Sequence, residues 1–187
     1  MDDLSRHLPL SQRSGVDESG ATADRRADIA RVRERHAELV AGAQPERSVE
    51  SERAVQESAR AAQPERAAQP ERAVQAERAA QLRAEADGIR RGPRRPMRDL
   101  VAAVRELAAD AGDAPLGLPA HITGAVALYQ VGRAPFQRRA VVKGHTLRAS
   151  DAGWEFGRGP VLEGTADDIV RFLLGLGDEP PRPVSSR

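Results

Sequence analysis

A chain of 187 residues with a net charge of +1 and 30% charged side chains has a solvated surface of mixed sign, without the basic excess of a nucleic-acid binder. The absence of cysteine excludes disulfides, thiolate metal sites and a cysteine nucleophile, and fits a reducing, cytoplasmic setting. The hydrophobic fraction of 40% is largely alanine and the aromatic fraction is 3%. All five aromatics, Tyr129, Phe136, Trp154, Phe156 and Phe172, stand in the last third, which is where a packed nucleus is expected.

The opening MDDLSRHLPL is acidic where a secretory leader is basic, and no apolar run approaches the roughly 18 residues of a membrane span. The expectation is a soluble, cytoplasmic chain with no membrane partner. Residues 1–23 read as disordered. Over 24–41, Ile29, Val32, His36, Leu39 and Val40 fall at helical spacing, with Asp24 as N-cap and Gly42 as stop, which predicts an amphipathic helix. His36 lies on the apolar stripe and has no second ligand one turn away, so packing is favoured over metal binding.

Residues 42–87 form a hexapeptide-like repeat, GAQPER, SVESER, AVQESAR, AAQPER, AAQPER, AVQAER, AAQLR. A period of six turns by about 240° on an α-helix, so no fixed apolar face results. Pro45, Pro64 and Pro70 interrupt helical hydrogen bonding, whereas Ala73 to Asp87 is rich in helix formers. Eight glutamates and seven arginines between Ala43 and Glu85 nearly balance, which suits a disordered or helical solvated tether that could meet a protein partner. Residues 88–98, GIRRGPRRPMR, read as a linker. Its Arg90, Arg91, Arg94, Arg95 and Arg98 could meet phosphate, but without a neighbouring aromatic for base stacking a nucleic-acid partner is not expected.

From residue 99 to 178 the pattern is that of an α+β region. Leu100, Val101, Val104, Leu107 and Ala108 predict a helix ending at Gly112, and Ile122, Val126 and Tyr129 a second one between Pro119 and Gly132. Val141 to Ala149 alternates as a strand interrupted at Lys143 and Gly144, and GWEF continues with Trp154 and Phe156 on one side. A turn at GRGP, a short strand at VLEG and a helix capped by Thr165 and ending at Gly177 complete a small antiparallel sheet with packed helices. In that last helix Ile169, Val170, Phe172, Leu173 and Leu176 cover the sheet. Residues 179–187 read as a disordered tail.

Other residues that could carry chemistry are set aside on spacing. Gly157, Gly159 and Gly164 lack the lysine and hydroxyl residue of a phosphate loop and the third-glycine spacing of a dinucleotide fingerprint, so they serve turn geometry. Asp151, Glu155 and Glu163 read as solvated carboxylates at strand edges. His7, His36, His121 and His145 include no pair one helical turn apart.

The run from Gly132 to Asp178 resembles the C-terminal part of the mycothiol-dependent maleylpyruvate isomerase family. The resemblance is carried by Pro135, Phe136, Arg138, Arg139, Gly144, Leu147, Ala149, Asp151, Trp154, Gly157, Gly159, Pro160, Gly164 and the helix from Ala166 to Leu176. It implies a small α/β domain beside an N-terminal four-helix bundle of the DinB type that holds a divalent metal such as zinc. Mycothiol would supply the thiolate that adds to a conjugated double bond. The helix expected to carry a His-x-x-x-Asp motif reads MRDLVAAVRELAADAG here, with alanine and valine in place of histidine, so the fold is carried over and the activity is not. No catalytic, cofactor-binding or metal-ligating residue is assigned. The resulting expectation is a non-catalytic member or divergent remnant of that family. An active mycothiol-dependent isomerase or transferase with other ligands, and an interaction protein using the repeat as a tether, stand as alternatives.

Overall fold

The structure, a computed structural model, describes residues 24–42 and 64–184. The readings of residues 1–23, of the repeat from 43 to 63 and of the last three residues, and the position of His7, lie outside the described residues. Helix α1 spans Arg26–Gly42, α2 Pro64–Arg91, α3 Met97–Ala111, α4 Ala120–Gln130, α5 Phe136–Val142 and α6 Ala166–Leu174. Strands β1 (Thr146–Ala149), β2 (Glu155–Gly157), β3 (Val161–Gly164) and β4 (Arg182–Pro183) form one sheet in the order β2-β1-β3-β4. The fold is α+β.

Helix α1 starts where expected: the Arg26 N–H donates to Asp24 Oδ1 at 3.2 Å, and Ile29, Val32, His36 and Val40 are buried along one stripe. Its neighbour α2 shows why the repeat can pack after all. The unit AAQLR is one residue short, and this slip brings Ala79, Leu82, Ala86 and Ile89 into a three-four-three spacing that does make a helical face. Ala79 and Leu82 bury against Ala37 and Val40 of α1. The ion pairs Arg33–Glu85 and Arg90–Glu34 also bridge the two helices. Pro64 begins α2, as suits a residue with no amide to donate, while Pro70 stands inside the helix at the cost of one backbone bond. The helix also continues through Gly88 to Arg91, so the linker is shorter than the sequence suggests. It is also anchored, because the Arg25 N–H donates to Arg95 O at 2.9 Å and Arg26 Nη1 to Gly92 O at 2.6 Å.

The core differs from the expected aromatic nucleus in the last third. The largest fully buried side chains are aliphatic, with Leu100, Leu107, Leu116, Ile122, Leu147, Ile169, Leu173 and Leu174 leading, and Ile29 and Val32 of α1 belong to the same cluster. Phe172 is buried, Tyr129, Trp154 and Phe156 are packed at the margin, and Phe136 is 75% exposed. Small aliphatic side chains from five helices and the sheet fill the interior because a helix stripe repeats them every turn, whereas the few rings have a polar edge or only one packing face.

Three further expectations are corrected at the sheet. Val141 and Val142, expected to open the strand, instead end helix α5 (Phe136–Val142): Arg138 and Val142, four apart, face inward, and the alternation starts only at Thr146. The sheet is mixed, since β1 pairs antiparallel with β2 but parallel with β3, with Leu147 opposite Phe156 on one side and Leu162 on the other. Arg158, Gly159 and Pro160 therefore carry the chain across the start of β1 instead of closing a hairpin. A Cβ on Gly157 would overlap the His145 carbonyl oxygen and one on Gly159 that of Gly144, and both have φ near 115° (115° and 116°), so the two glycines are required by this crossing. Within the tail, buried Pro181 lies against Gly164, and β4 adds to β3 with the Val184 N–H donating to Val161 O at 3.0 Å. Helix α6 ends at Gly175, whose φ of 83° is the left-handed exit, so Leu174 takes the buried place expected of Leu176.

Arginines join the layers by capping carbonyls. Arg171 of α6 donates to Ala108 O, Gly112 O and Ala114 O at the end of α3, and Arg138 of α5 donates to Phe172 O and Gly177 O and pairs with Asp178. Asp151 accepts from the Ala166 N–H at 2.8 Å and Thr165 from the Asp168 N–H at 3.1 Å, so the start of α6 is capped twice.

Candidate functional site: the cleft between α1, α2 and α3

Helix α1 lies between α2 and α3, parallel to α3, and the three leave an open cleft of about 640 Å³. Its floor is Arg33 and His36 of α1; Val74, Arg78 and Glu85 stand on the α2 side, Glu106 and Asp110 on the α3 side. His36 has 2% of its side chain exposed and places Nε2 at 2.7 Å from Asp110 Oδ2. Arg78 Nη2 donates to the same carboxylate oxygen at 2.7 Å. One carboxylate thus joins a buried imidazole on one helix to a surface guanidinium on another. Beside it, Arg33 pairs with Glu106 across to α3 and approaches Glu85 of α2 at 3.7 Å.

The chemistry open to this group follows from the arrangement. His36 Nε2 faces the Asp110 carboxylate, and Nδ1 is buried and has no hydrogen-bond partner. A proton shuttle needs one imidazole edge open to a substrate. Here one edge is taken and the other is closed, so the pair works as a latch among three helices. Among the described residues, no group of three or more histidine, aspartate or glutamate side chains converges to hold a metal ion.

The other candidate residues take separate places. His121, at the start of α4, meets Asp28 at 3.3 Å, and His145, in the bend before β1 and not in the strand, lies 3.2 Å from the Lys143 carbonyl oxygen. Glu155 pairs with Arg148 at 2.6 Å and Glu163 approaches it at 3.8 Å, both directly across the sheet from it in register. Of the linker arginines, Arg90 pairs with Glu34 and Asp87, and Arg95 and Arg98 with Asp99. Asp167 accepts the Leu116 N–H at 2.8 Å, and burial pushes its carboxyl above the usual aspartate value. Asp110 and Arg78 were not legible as functional positions. The one available signal was Asp110 three residues after Leu107, on the flank of an apolar stripe.

No family model, curated protein or solved structure matches the chain.

Proposed function

We propose that this chain is a non-catalytic protein related in its C-terminal α/β region to the mycothiol-dependent maleylpyruvate isomerases, and that it presents the charged helix α2 to a protein partner. The observation that supports this reading is the place of Arg78. Its guanidinium sits 2.7 Å from the Asp110 oxygen that also meets His36, where it supplies the positive charge that a dication would bring to a histidine–carboxylate pair. The same contact tethers α2, whose outer face is left to solvent with alternating arginine and glutamate.

Elemental analysis of the dialysed protein, together with an assay of maleylpyruvate and mycothiol, tests the proposal. The expected result is no stoichiometric divalent metal and no isomerisation. One zinc per chain that is lost in His36→Ala, or mycothiol-dependent turnover, would establish the enzyme reading in its place.

A further inference from the structure

Between Asp113 and Asp151 the chain has no acidic residue, yet it carries Arg133, Arg138, Arg139, Lys143 and Arg148. Two of these are used inside the fold: Arg138 clamps the exit of α6 and Arg148 pairs across the sheet. The other three have no carboxylate partner among the described residues. Arg133 stacks over Tyr129 at 3.9 Å, Arg139 reaches only the Gly132 carbonyl at 3.5 Å, and Lys143 makes no ion pair. Helix α5 turns Arg138 and Val142 inward, so Phe136, Arg139, Ala140 and Lys143, at spacings of three, four and seven, form its outer stripe.

This stripe joins a large apolar ring, Phe136, to cations, and two more exposed apolar side chains stand elsewhere on α4 and α5. Phe136 is 75% exposed, Leu128 in the last turn of the preceding α4 is 58% exposed, and Val141 is 41% exposed. The neighbouring polar and aromatic side chains of this region have fold roles. Arg138 clamps α6, Asp151 caps it and Trp154 packs on α4, but Phe136 and Arg139 contribute almost nothing to the fold.

We propose that the outer face of α5, with Phe136, Arg139 and Lys143 and flanked by Arg133, docks on an anionic lipid bilayer. An apolar side chain that enters the headgroup boundary, with Arg139 and Lys143 beside it and the nearby Asp178 tied to Arg138, matches both the apolar and the charged demands of that surface. A second copy of the chain fits poorly, since twofold pairing would set Arg139 and Lys143 against their own copies. A nucleic acid would stack successive bases on several rings, and this stripe offers one. The contact lies in the plane of the surface, and among the described residues no helix is long and apolar enough to cross a membrane.

Co-sedimentation of the full chain with vesicles tests this. It should pellet with phosphatidylglycerol–phosphatidylcholine vesicles, stay in solution with phosphatidylcholine alone, and be released by salt. Phe136→Ser should weaken the binding about tenfold, and Arg139→Gln with Lys143→Gln about 30-fold. The thermal midpoint of each should stay that of the parent, because these side chains are exposed. Arg91→Gln with Arg94→Gln, at the end of α2 and just beyond it, should bind as the parent does. Equal binding to both vesicle types, no binding, α5 variants that bind like the parent, or an Arg91 and Arg94 variant that costs as much would each overturn the proposal. So would capture of a single-stranded oligonucleotide, or of polyglutamate, through Phe136 and Arg139 without any vesicle binding.

Discussion

Trp154 illustrates how one side chain can join two layers without being fully buried. Its Nε1 donates to Thr123 Oγ1 at 3.1 Å, its ring stacks on Phe156 with centroids 5.5 Å apart, and Gly124 leaves room for it, since a Cβ there would come within 3.1 Å of the indole. The hydrogen bond and the packing can be separated by substitution. Trp154→Phe keeps most of the ring contact and should cost about 1 kcal/mol, the value of one hydrogen bond. Trp154→Ala should cost about 3 kcal/mol, the low end for an aromatic truncation, because the ring is half-buried. Urea unfolding of the two variants checks both values, and equal losses would show that the ring contact contributes little. The tryptophan was readable as a packed residue from its position beside Phe156; its hydrogen-bond partner on α4 was not, because Thr123 lies 31 residues away.

At the scale of elements, the three-helix latch decides how the charged repeat is held. His36 has no solvent to replace Asp110, and Arg78 loses its anchor if the carboxylate goes. Asp110→Ala should therefore destabilise the protein by about 2 kcal/mol, as expected when a buried polar group loses its partner. It should also raise amide exchange in α2 more than in α6, since α2 is held by the small Ala37, Val40, Ala79 and Leu82 contact and by such ion pairs. Exchange measured by mass spectrometry distinguishes this from a uniform loss, which would mean that the latch serves only the core. Arg78→Ala, on the exposed side, should cost less than about 1 kcal/mol.

For the molecule as a whole, the pH dependence of stability has an identifiable contribution from Asp167. Burial raises its carboxyl above the ordinary 3.8, so the folded state holds the proton longer than the unfolded one. The stability it contributes is present in full below 3.8 and is lost as the pH rises through the raised folded value. Asp167→Asn keeps an acceptor for the Leu116 N–H and has no proton to lose. Relative to this variant, the parent should lose stability as the pH climbs from about 3 to about 7. Thermal midpoints across that range test the sign, and a difference that is flat or grows in favour of the parent would refute it.

The sequence by itself determined the local rules of this protein: where α1, α3, α4 and α6 begin, which stripes they bury, and that GRGP demands glycine. Each of these depends on neighbours within about two helical turns, so Asp24, Thr165 and the Leu100-to-Ala108 stripe announce themselves in the linear text. Tertiary structure decided the rest. Whether Val141 and Val142 end a helix or open a strand depends on Arg138 finding the carbonyls of Phe172 and Gly177, and whether β3 runs parallel to β1 depends on the crossing over Gly144. The repeat shows the same limit. Its slip at Leu82 makes a face only if α1 supplies Ala37 and Val40 to cover it. Asp110 meets His36 across 74 residues of the chain and Arg78 across 32, which no local spacing records. Long-range contacts between side chains of ordinary composition leave no periodic mark on a sequence, and that is where the candidate site of this protein lies.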